Sequence, residues 1–527
     1  MRLQLVIGAL ICALLACQSG AAQSSDVAAR GTDVTTRNAA PLSARAGVDA
    51  RTCEQRTNDT LAKLEQCIAL PSLWHHLSQF QLIADANPGS NGHGNRNTGT
   101  PGYAASVAYV ARLVRRAGYH VTIQRYNYEK SEMSRAPEFS SPGHSYAEVR
   151  DWFVARLSGG GTVSAPVEPP PGSRSGCSLR DFSRFARGNV ALIERGTCTF
   201  DMQVANAQEA GASAVVLYNM PAALDDSSES SGRPGVYEAR LTDPASLPVI
   251  GVASYAVGAG LLRDYLAGRA PTVHIGIRMK HRTDIDYNVI ADSPFGDPNH
   301  VVVIEGHLDA IHGAGMLDNA SGSTSILEVA LNMAKTRTRN QLRYIWFGGE
   351  ELGLLGSHYY TRNLRPAELH RIAFDVDADV TATPNYDILV ADPGTATNVK
   401  RFPPNVVPES KIGNAYFAEF FKTGGVESRP ARFGNDGTDS NAFSLVGVPN
   451  TGILTQQDCC KHPWELQIWG GFLGNYEGDI PSRNGGCVDY PLRWCDNLSN
   501  NDPFVLELVS KSVAYVTFKL ANHPGLP

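Results

Sequence analysis

The sequence has little net charge and no apolar run long enough to be a stable transmembrane span. Its formal net charge at pH 7 is −6 over 527 residues, which argues against a nucleic acid or an anionic membrane surface as the main partner. The one long apolar run, residues 3–16, is too short for a stable transmembrane span. The chain also lacks a phosphate-binding loop of the GxxxxGK[ST] type and a spacing that suggests a Ser-His-Asp set. These absences disfavour nucleotide enzymes, serine hydrolases and membrane-spanning proteins.

The N-terminus has the pattern of a secretory signal. In residues 1–23 a basic Arg2 precedes the apolar run and small residues follow it. Cleavage is expected either near residues 20–22 or before Cys17, because Leu14–Cys17 resembles a bacterial lipobox and would lipidate Cys17. One acylated cysteine gives an anchor and not a span. We therefore expect a secreted, periplasmic or outer-membrane-anchored bacterial protein, with residues 24–51 as a disordered tether or a pro-segment.

Exported proteins form disulfides, and the ten cysteines include several close pairs. The simplest pairings join neighbours along the chain: Cys53–Cys67, Cys177–Cys198 and Cys487–Cys495. The adjacent Cys459 and Cys460 either form a vicinal disulfide or stay reduced.

The length of 527 residues predicts two or three domains. A Gly- and Pro-rich stretch after residue 159 marks a break. Beyond it, residues 188–219 predict a strand, a Cys-bearing loop, a helix and a strand. We expect an inserted small α/β domain at 157–278 that splits a larger domain into 52–156 and 279–527. Alternating strands and helices in the larger domain predict an α/β fold with a mixed, mostly parallel sheet flanked by helices.

An imidazole and two carboxylates follow residues 301–304, whose apolar run predicts a buried strand. His307 and Asp309 lie two residues apart just past this strand, and Asp318 follows in a Gly- and Asn-rich loop before a helix at 321–335. The carboxyl ends of parallel strands are where open α/β sheets bind ligands. Asp309 could orient the imidazole while His307 holds a metal ion.

Carboxylates follow the next two strands as well. Glu350 and Glu351 come directly after the strand 342–347, and Asp375 ends the strand that begins at residue 371. Adjacent glutamates cannot both perform one role, so one would bind metal and the other would act as general base on water. A histidine with several carboxylates suits zinc, as one ion or as two that share a carboxylate.

These motifs resemble the co-catalytic di-zinc aminopeptidases of the secreted bacterial leucyl aminopeptidase and aminopeptidase Y type. The matching segments are GHLDA at 306–310, LDNASG at 317–322, GGEELGLLGS at 348–357 and FDVD at 374–377. The resemblance implies that His307 binds one zinc, Asp318 bridges both ions, Glu351 and Asp375 each bind one, Glu350 is the general base, and Asp309 is the aspartate behind the histidine. The inserted unit resembles a protease-associated domain.

The chain departs from this family at the fifth ligand, a histidine between two cysteines near the C-terminus. Between Cys487 and Cys495 there is no histidine, and Asp489 stands where it would lie. Asp489 is the first candidate replacement, because zinc accepts carboxylate ligands, and His462 is the second. In the third alternative one of the two zinc sites is weak or empty. Ser440 also stands where the family often has a histidine.

The expected function is that of a zinc-dependent exopeptidase, an aminopeptidase acting on peptides or proteins with a free N-terminus. Two alternatives stay open. The missing histidine favours a catalytically weakened binding module, and the same scaffold could also serve a carboxypeptidase.

Overall fold

A computed structural model describes residues 50–89, 92–148, 150–196, 198–220, 236, 239–241, 244–432, 434–457, 461–474, 476–477 and 496–526. The signal, the lipobox, most of the proposed tether, Asp489 and the cysteines at 459, 460, 487 and 495 lie outside the described residues. In the part that is described, no helix combines the length and apolar character needed to cross a bilayer.

Strands and helices alternate along the described chain. The strands are β1 His120–Met133, β2 Glu138–Ser141, β3 His144–Ser145, β4 Phe153–Val154, β5 Gly161–Glu168, β6 Val190–Glu194, β7 Ala214–Tyr218, β8 Val249–Ala253, β9 Thr272–Ile277, β10 Met279–Asp292, β11 Asp297–His307, β12 Asn340–Phe347, β13 Ile372–Ala378, β14 Leu389–Ala391, β15 Arg429–Pro430 and β16 Asn450–Leu454. The α-helices are α1 Ala50–Gln55, α2 Leu61–Cys67, α3 Leu70–Asp85, α4 Pro101–Ala117, α5 Phe200–Ala210, α6 Tyr255–Leu266, α7 Gly322–Met333, α8 Leu355–Asn363, α9 Pro366–Leu369, α10 Val406–Thr423, α11 Ser440–Leu445, α12 Pro463–Trp469 and α13 Pro503–Ala521.

The larger unit is built on one sheet with the order β1-β10-β12-β11-β13-β16-β14-β15. The four central strands β12, β11, β13 and β16 run parallel to their neighbours within this group. Helices α3, α4, α7 and α13 contribute to one continuous apolar core with these strands. The predicted mixed, mostly parallel sheet flanked by helices is confirmed.

Capping side chains at the N-terminal ends explain where two helices begin. Thr100 accepts a hydrogen bond from the Tyr103 N–H, and Pro101 occupies the first turn, so α4 begins at Pro101. Asp502 caps α13 in the same way, accepting from the Val505 N–H ahead of an apolar face that packs against the sheet. Both helices therefore begin directly after a residue whose side chain caps the first turn.

A second sheet, with the order β3-β2-β9-β5-β6-β7-β8-β4, forms the inserted unit. Its boundary at 157 was placed too late, because β2, β3 and β4 belong to this sheet although they precede the Gly- and Pro-rich break. The long strands β1 and β10 lead into and out of it, and Met133 pairs directly with Met279. The Ser134 N–H then donates to the Arg278 carbonyl at 2.9 Å. The inserted unit thus begins near residue 134.

Two of the predicted disulfides lie within the described residues, and both are formed. Cys53–Cys67 joins α1 to α2, and Cys177–Cys198 closes a loop of the inserted unit. The pairing Cys487–Cys495 stays a prediction.

Candidate metal centre

Three side chains converge at the carboxyl end of the central strands. His307 Nε2 lies 3.0 Å from Asp318 Oδ1 and 3.3 Å from Asp379 Oδ1. One potential ligand atom from each residue lies within 4.8 Å of the other two. His307 and Asp318 are buried, whereas Asp379 is partly exposed. An imidazole nitrogen and two carboxylates at this spacing form a donor set that suits zinc.

His307 reaches this position because it ends β11, a strand whose residues Val301–His307 are all buried. Its Nδ1 atom faces Asp309, at 3.2 Å from the backbone carbonyl and 3.4 Å from Oδ1. Hydrogen bonding on this side would place the proton on Nδ1 and leave the Nε2 lone pair directed at Asp318 and Asp379. The predicted role of Asp309 as the partner that orients His307 agrees with this geometry.

Asp318 belongs to a short π-helical turn, Met316–Ser321, that leads into α7. Its peptide bond to Asn319 is cis. The Asp496 carboxylate accepts the N–H groups of Leu317 at 2.7 Å and Asp318 at 3.0 Å. Burial raises the pKa of Asp496 to about 6, against the opposing effect of these two N–H donors. Asp496 thus holds the backbone that presents the carboxylate of Asp318.

The same turn is tied to the end of β13. Asn319 donates to the Ala378 carbonyl at 2.9 Å and accepts from the Val380 N–H at 3.2 Å. A Cβ atom at Gly322 would lie 2.0 Å from the Ala378 carbonyl oxygen, so this position requires glycine. The close approach brings Asp318 next to Asp379.

The strand register explains why Asp379, and not the predicted Asp375, joins the cluster. Glu305 of β11 pairs with Asp377 of β13, and His307 and Asp379 each follow two residues later, with Asp379 just past the end of β13. Asp375 pairs with Val303 and lies about 13 Å further back at 3.3 Å per residue. Its pKa is raised well above the usual value, first by burial and then by Asp377 and Asp439. The structure places Asp375 inside the sheet, away from the cluster.

Glu350 and Glu351 follow β12 and are both buried. The Glu350 N–H donates to Asp309 Oδ1 at 3.3 Å and the Glu351 N–H to Asp309 Oδ2 at 3.4 Å. Thr98 Oγ1 donates to Oδ2 of the same carboxylate at 2.7 Å. Asp309 therefore fixes both the imidazole of His307 and the turn that carries the two glutamates.

Glu350 points towards the cluster, with Oε2 at 3.9 Å from His307 Nε2. Burial is the main cause that raises the pKa of Glu350 well above its usual value, and Glu351 adds to it, while His307 acts in the opposite direction. For His307 burial lowers the pKa, but the carboxylates of Asp379 and Glu350 together raise it well above its usual value. A buried carboxyl group with a raised pKa is suited to accept and return a proton near neutral pH.

Glu351 has a partner from the inserted unit. Arg240 Nη2 lies 3.1 Å from Glu351 Oε2. The sequence offered no signal for this contact, because residue 240 lies far from the motifs and belongs to the other sheet-forming unit.

The fifth ligand was predicted to be Asp489 or His462. Asp489 lies outside the described residues, so its assignment stays a prediction. His462 is the N-cap residue of α12, where its N–H donates to the Glu465 carboxylate at 2.7 Å. Within the described residues, His462 is not part of the group that could hold an ion.

The centre also depends on residues that motif reasoning missed. Arg96 is fully buried, and its guanidinium donates to the carbonyls of Leu308, Ala314 and Gly315 at 2.7–2.8 Å. It thereby holds the loop between His307 and Asp318. The alternating DVDAD pattern at 375–379 could have pointed to Asp379, since every second residue faces the same side of a strand.

The fold and the centre together define a metal-dependent hydrolase: a nitrogen and oxygen donor set and a buried carboxyl group meet at the carboxyl ends of parallel strands. A model of the peptidase family M28 matches residues 288–482, and a model of the PA domain matches residues 163–261.

Curated relatives give the same assignment. An aminopeptidase of Pseudomonas aeruginosa (strain UCBPP-PA14) is 30% identical over 471 residues, covering 86% of this chain and 81% of the relative. A Mycobacterium tuberculosis protein named "Probable lipoprotein aminopeptidase LpqL" is 28% identical over 416 residues, covering 77% of this chain and 78% of that protein. The chain belongs to peptidase family M28 and carries an inserted PA domain.

Solved structures share the fold. An aminopeptidase from Aneurinibacillus sp. strain AM-1 superimposes with a TM-score of 0.66 at 20% identity, over 89% of this chain and 98% of that chain. BSAP, a zinc aminopeptidase from Bacillus subtilis, gives a TM-score of 0.58 at 21% identity, over 86% of this chain and 95% of that chain. The expectations of a metallopeptidase fold with a protease-associated insertion are confirmed.

Proposed function

We propose that this chain is a zinc-dependent aminopeptidase that releases N-terminal residues from peptides. The observation that carries the proposal is the cluster of His307, Asp318 and Asp379 with the Glu350 carboxylate 3.9 Å from His307 Nε2. Relatives named aminopeptidase support the choice of exopeptidase class. The named relatives therefore support the proposed reaction, and the cluster supports the choice of the residues that would carry it out.

Two zinc ions are proposed, as the family resemblance implies. His307, Asp318 and Asp379 would hold one ion. Asp318 and Glu351 would hold the second, completed by Asp489 or His462. When bound, zinc would polarise the scissile carbonyl and lower the pKa of a water molecule. Glu350 would take the proton from that water and return it to the leaving amine, and Asp309 would keep His307 and the glutamate turn in place.

A cavity of about 380 Å³ is lined in part by Thr98, whose hydroxyl donates to Asp309, and would receive the peptide. Its walls come from both units: Ala310, Ile311 and Leu352 follow the site motifs, while Val154 and Arg156 belong to the inserted-unit side. A site enclosed by an insertion suits short peptides or chain ends better than the middle of a folded protein, because only an end can enter a pocket of this size.

The test uses matched substrates that differ at one terminus. We expect hydrolysis of leucine and lysine reporter amides with a free α-amino group, no hydrolysis of their N-acetylated forms, and loss of turnover with a chelator that zinc reverses. Cleavage of N-blocked peptides that requires a free carboxylate would instead identify a carboxypeptidase. Bound zinc without turnover on any substrate would identify a binding module.

We also propose that the enzyme acts outside the cytoplasm, secreted or anchored through lipidated Cys17. Two disulfides, Cys53–Cys67 and Cys177–Cys198, and the relative named as a lipoprotein support this. Mass spectrometry of the mature N-terminus in wild type and Cys17→Ser distinguishes the alternatives. An acylated Cys17 peptide supports anchoring, and an unmodified N-terminus beyond residue 20 supports secretion.

A further inference from the structure

A charged residue of the inserted unit reaches the candidate metal centre. Arg240 Nη2 lies 3.1 Å from Glu351 Oε2, and the side chains are 27% and 5% exposed, respectively. Glu351 is the residue proposed above as a ligand of the second zinc ion. A carboxylate so deeply buried is costly without a positive partner, and Arg240 supplies one.

The backbone on both sides of Arg240 is fixed to Arg156, which follows β4 within the inserted unit. The Arg156 N–H donates to the Ala239 carbonyl at 2.9 Å, and the Arg156 guanidinium donates to the Leu241 carbonyl at 3.0 Å. Arg156 and Arg240 also form a parallel bridge. The guanidinium of Arg240 is therefore presented at Glu351 by an anchored segment.

We propose that Arg240 is a positioning residue of the metal centre and competes with the second metal ion for Glu351. Like charges at a few ångströms repel strongly where water is excluded. An ion that takes up Glu351 must therefore displace the guanidinium or share the carboxylate with it. Occupancy of the second site and the contact between the Arg240 side chain and Glu351 are then coupled, and such couplings are commonly 5- to 150-fold in affinity. This inference rests on the proposed function, because it takes Glu351 as a ligand.

The first experiment titrates zinc into metal-free mature protein in competition with a chelating dye. The variant Arg240→Gln removes the charge and keeps a polar side chain. Its matched control is Arg184→Gln, on an exposed arginine of the same unit. We expect the first ion to bind all three proteins equally and the second to bind Arg240→Gln about tenfold more tightly. If the second zinc ion binds Arg240→Gln with unchanged or lower affinity than wild type, the inference is overturned.

The outcome also separates this inference from the proposed function. Two zinc ions and aminopeptidase turnover with an unaltered second step would leave the function standing and remove the role of Arg240. Absence of zinc binding in wild type and both variants would overturn both.

A second experiment uses the wild-type protein alone, so it does not depend on the variant folding. An arginine-specific dicarbonyl reagent is applied to metal-free and zinc-saturated protein, and modification is mapped by peptide mass spectrometry. Zinc should increase the modification rate of Arg240 several-fold relative to that of Arg184, because the guanidinium loses its carboxylate partner. An unchanged ratio of the two rates counts against the competition.

Discussion

The assignment of Asp379 in place of Asp375 can be tested by a pair of isosteric substitutions. Asp379→Asn removes a charged ligand atom that lies 3.3 Å from His307 Nε2. Asp375→Asn changes a carboxyl group of the same strand that lies about 13 Å further back, whereas zinc needs an oxygen at about 2.0–2.2 Å. Asp375 cannot reach an ion held by His307 from that position.

The magnitudes follow from this separation. Substituting residues that only support a ligand already lowers metal affinity by about 10- to 100-fold. Loss of a direct ligand should therefore cost at least about 100-fold, or about 2.7 kcal/mol at 1.36 kcal/mol per tenfold change. Asparagine keeps the size and shape of the buried Asp375 side chain, which lies away from the cluster. We expect Asp375→Asn to change zinc affinity by less than about tenfold.

The assay is zinc affinity by dye competition, with zinc content measured after dialysis. Both variants are first compared with wild type by circular dichroism, so that loss of fold is not mistaken for loss of a ligand. Zinc retained by Asp379→Asn and lost from Asp375→Asn would refute the register argument and restore the sequence-based assignment.

Three further predictions concern the surroundings of the centre. Glu350→Gln should lower kcat by about 10²- to 10⁴-fold with zinc content unchanged, which turnover and metal analysis together measure; unchanged kcat would exclude Glu350 as the base. Arg96→Met removes the guanidinium donor from the carbonyls of Leu308, Ala314 and Gly315, of which Gly315 keeps the Ala320 N–H. It should lower the free energy of unfolding by about 2–6 kcal/mol in urea titrations, at about 1–3 kcal/mol for each of the other two acceptors, whereas the exposed Arg116→Met should have little effect. Burial, helped by Asp309, raises the pKa of Asp286 to about 8. The folded state therefore binds this proton more tightly than the unfolded chain, whose pKa is near 4, and the resulting stabilisation is lost as the pH rises from about 4 to about 8. The urea midpoint of metal-free protein should fall over this pH range, and it should fall less in Asp286→Asn.

The sequence predicted the parts of the centre that depend on local order. His307, Glu350 and Glu351 each directly follow an apolar strand, and such residues meet because the carboxyl ends of parallel strands share an edge. Asp309 was predicted from its spacing of two residues from His307. These positions needed no knowledge of how distant strands align.

The remaining parts depend on contacts between distant segments. The choice between Asp375 and Asp379 depends on the register between β11 and β13, which both strands determine together. Asp496 and Arg96 act on the loop around Asp318 from 178 and more than 200 residues away in sequence. No local pattern could reveal them, since a lone Asp or Arg gives no sign of its acceptors or donors.

The inserted unit was also only partly predictable. Its central strands β6 and β7 are apolar and fully or almost fully buried, and the pattern of residues 188–219 predicts both. The strands β2, β3 and β4 are too short to give a periodic pattern, so the sequence predicts the domain boundary at the later Gly- and Pro-rich break.

The paired ends of the inserted unit make it a detachable module. Met133 and Met279 are direct neighbours across two antiparallel strands, and Ser134 and Arg278 are hydrogen-bonded just beyond them. A tight two-residue turn could therefore close the ribbon after excision of the intervening chain, with the peptidase sheet left continuous. Lineages could lose, exchange or redesign this unit without rebuilding the hydrolytic scaffold, and chimaeras joined at this stem would transplant whatever selectivity the insertion confers.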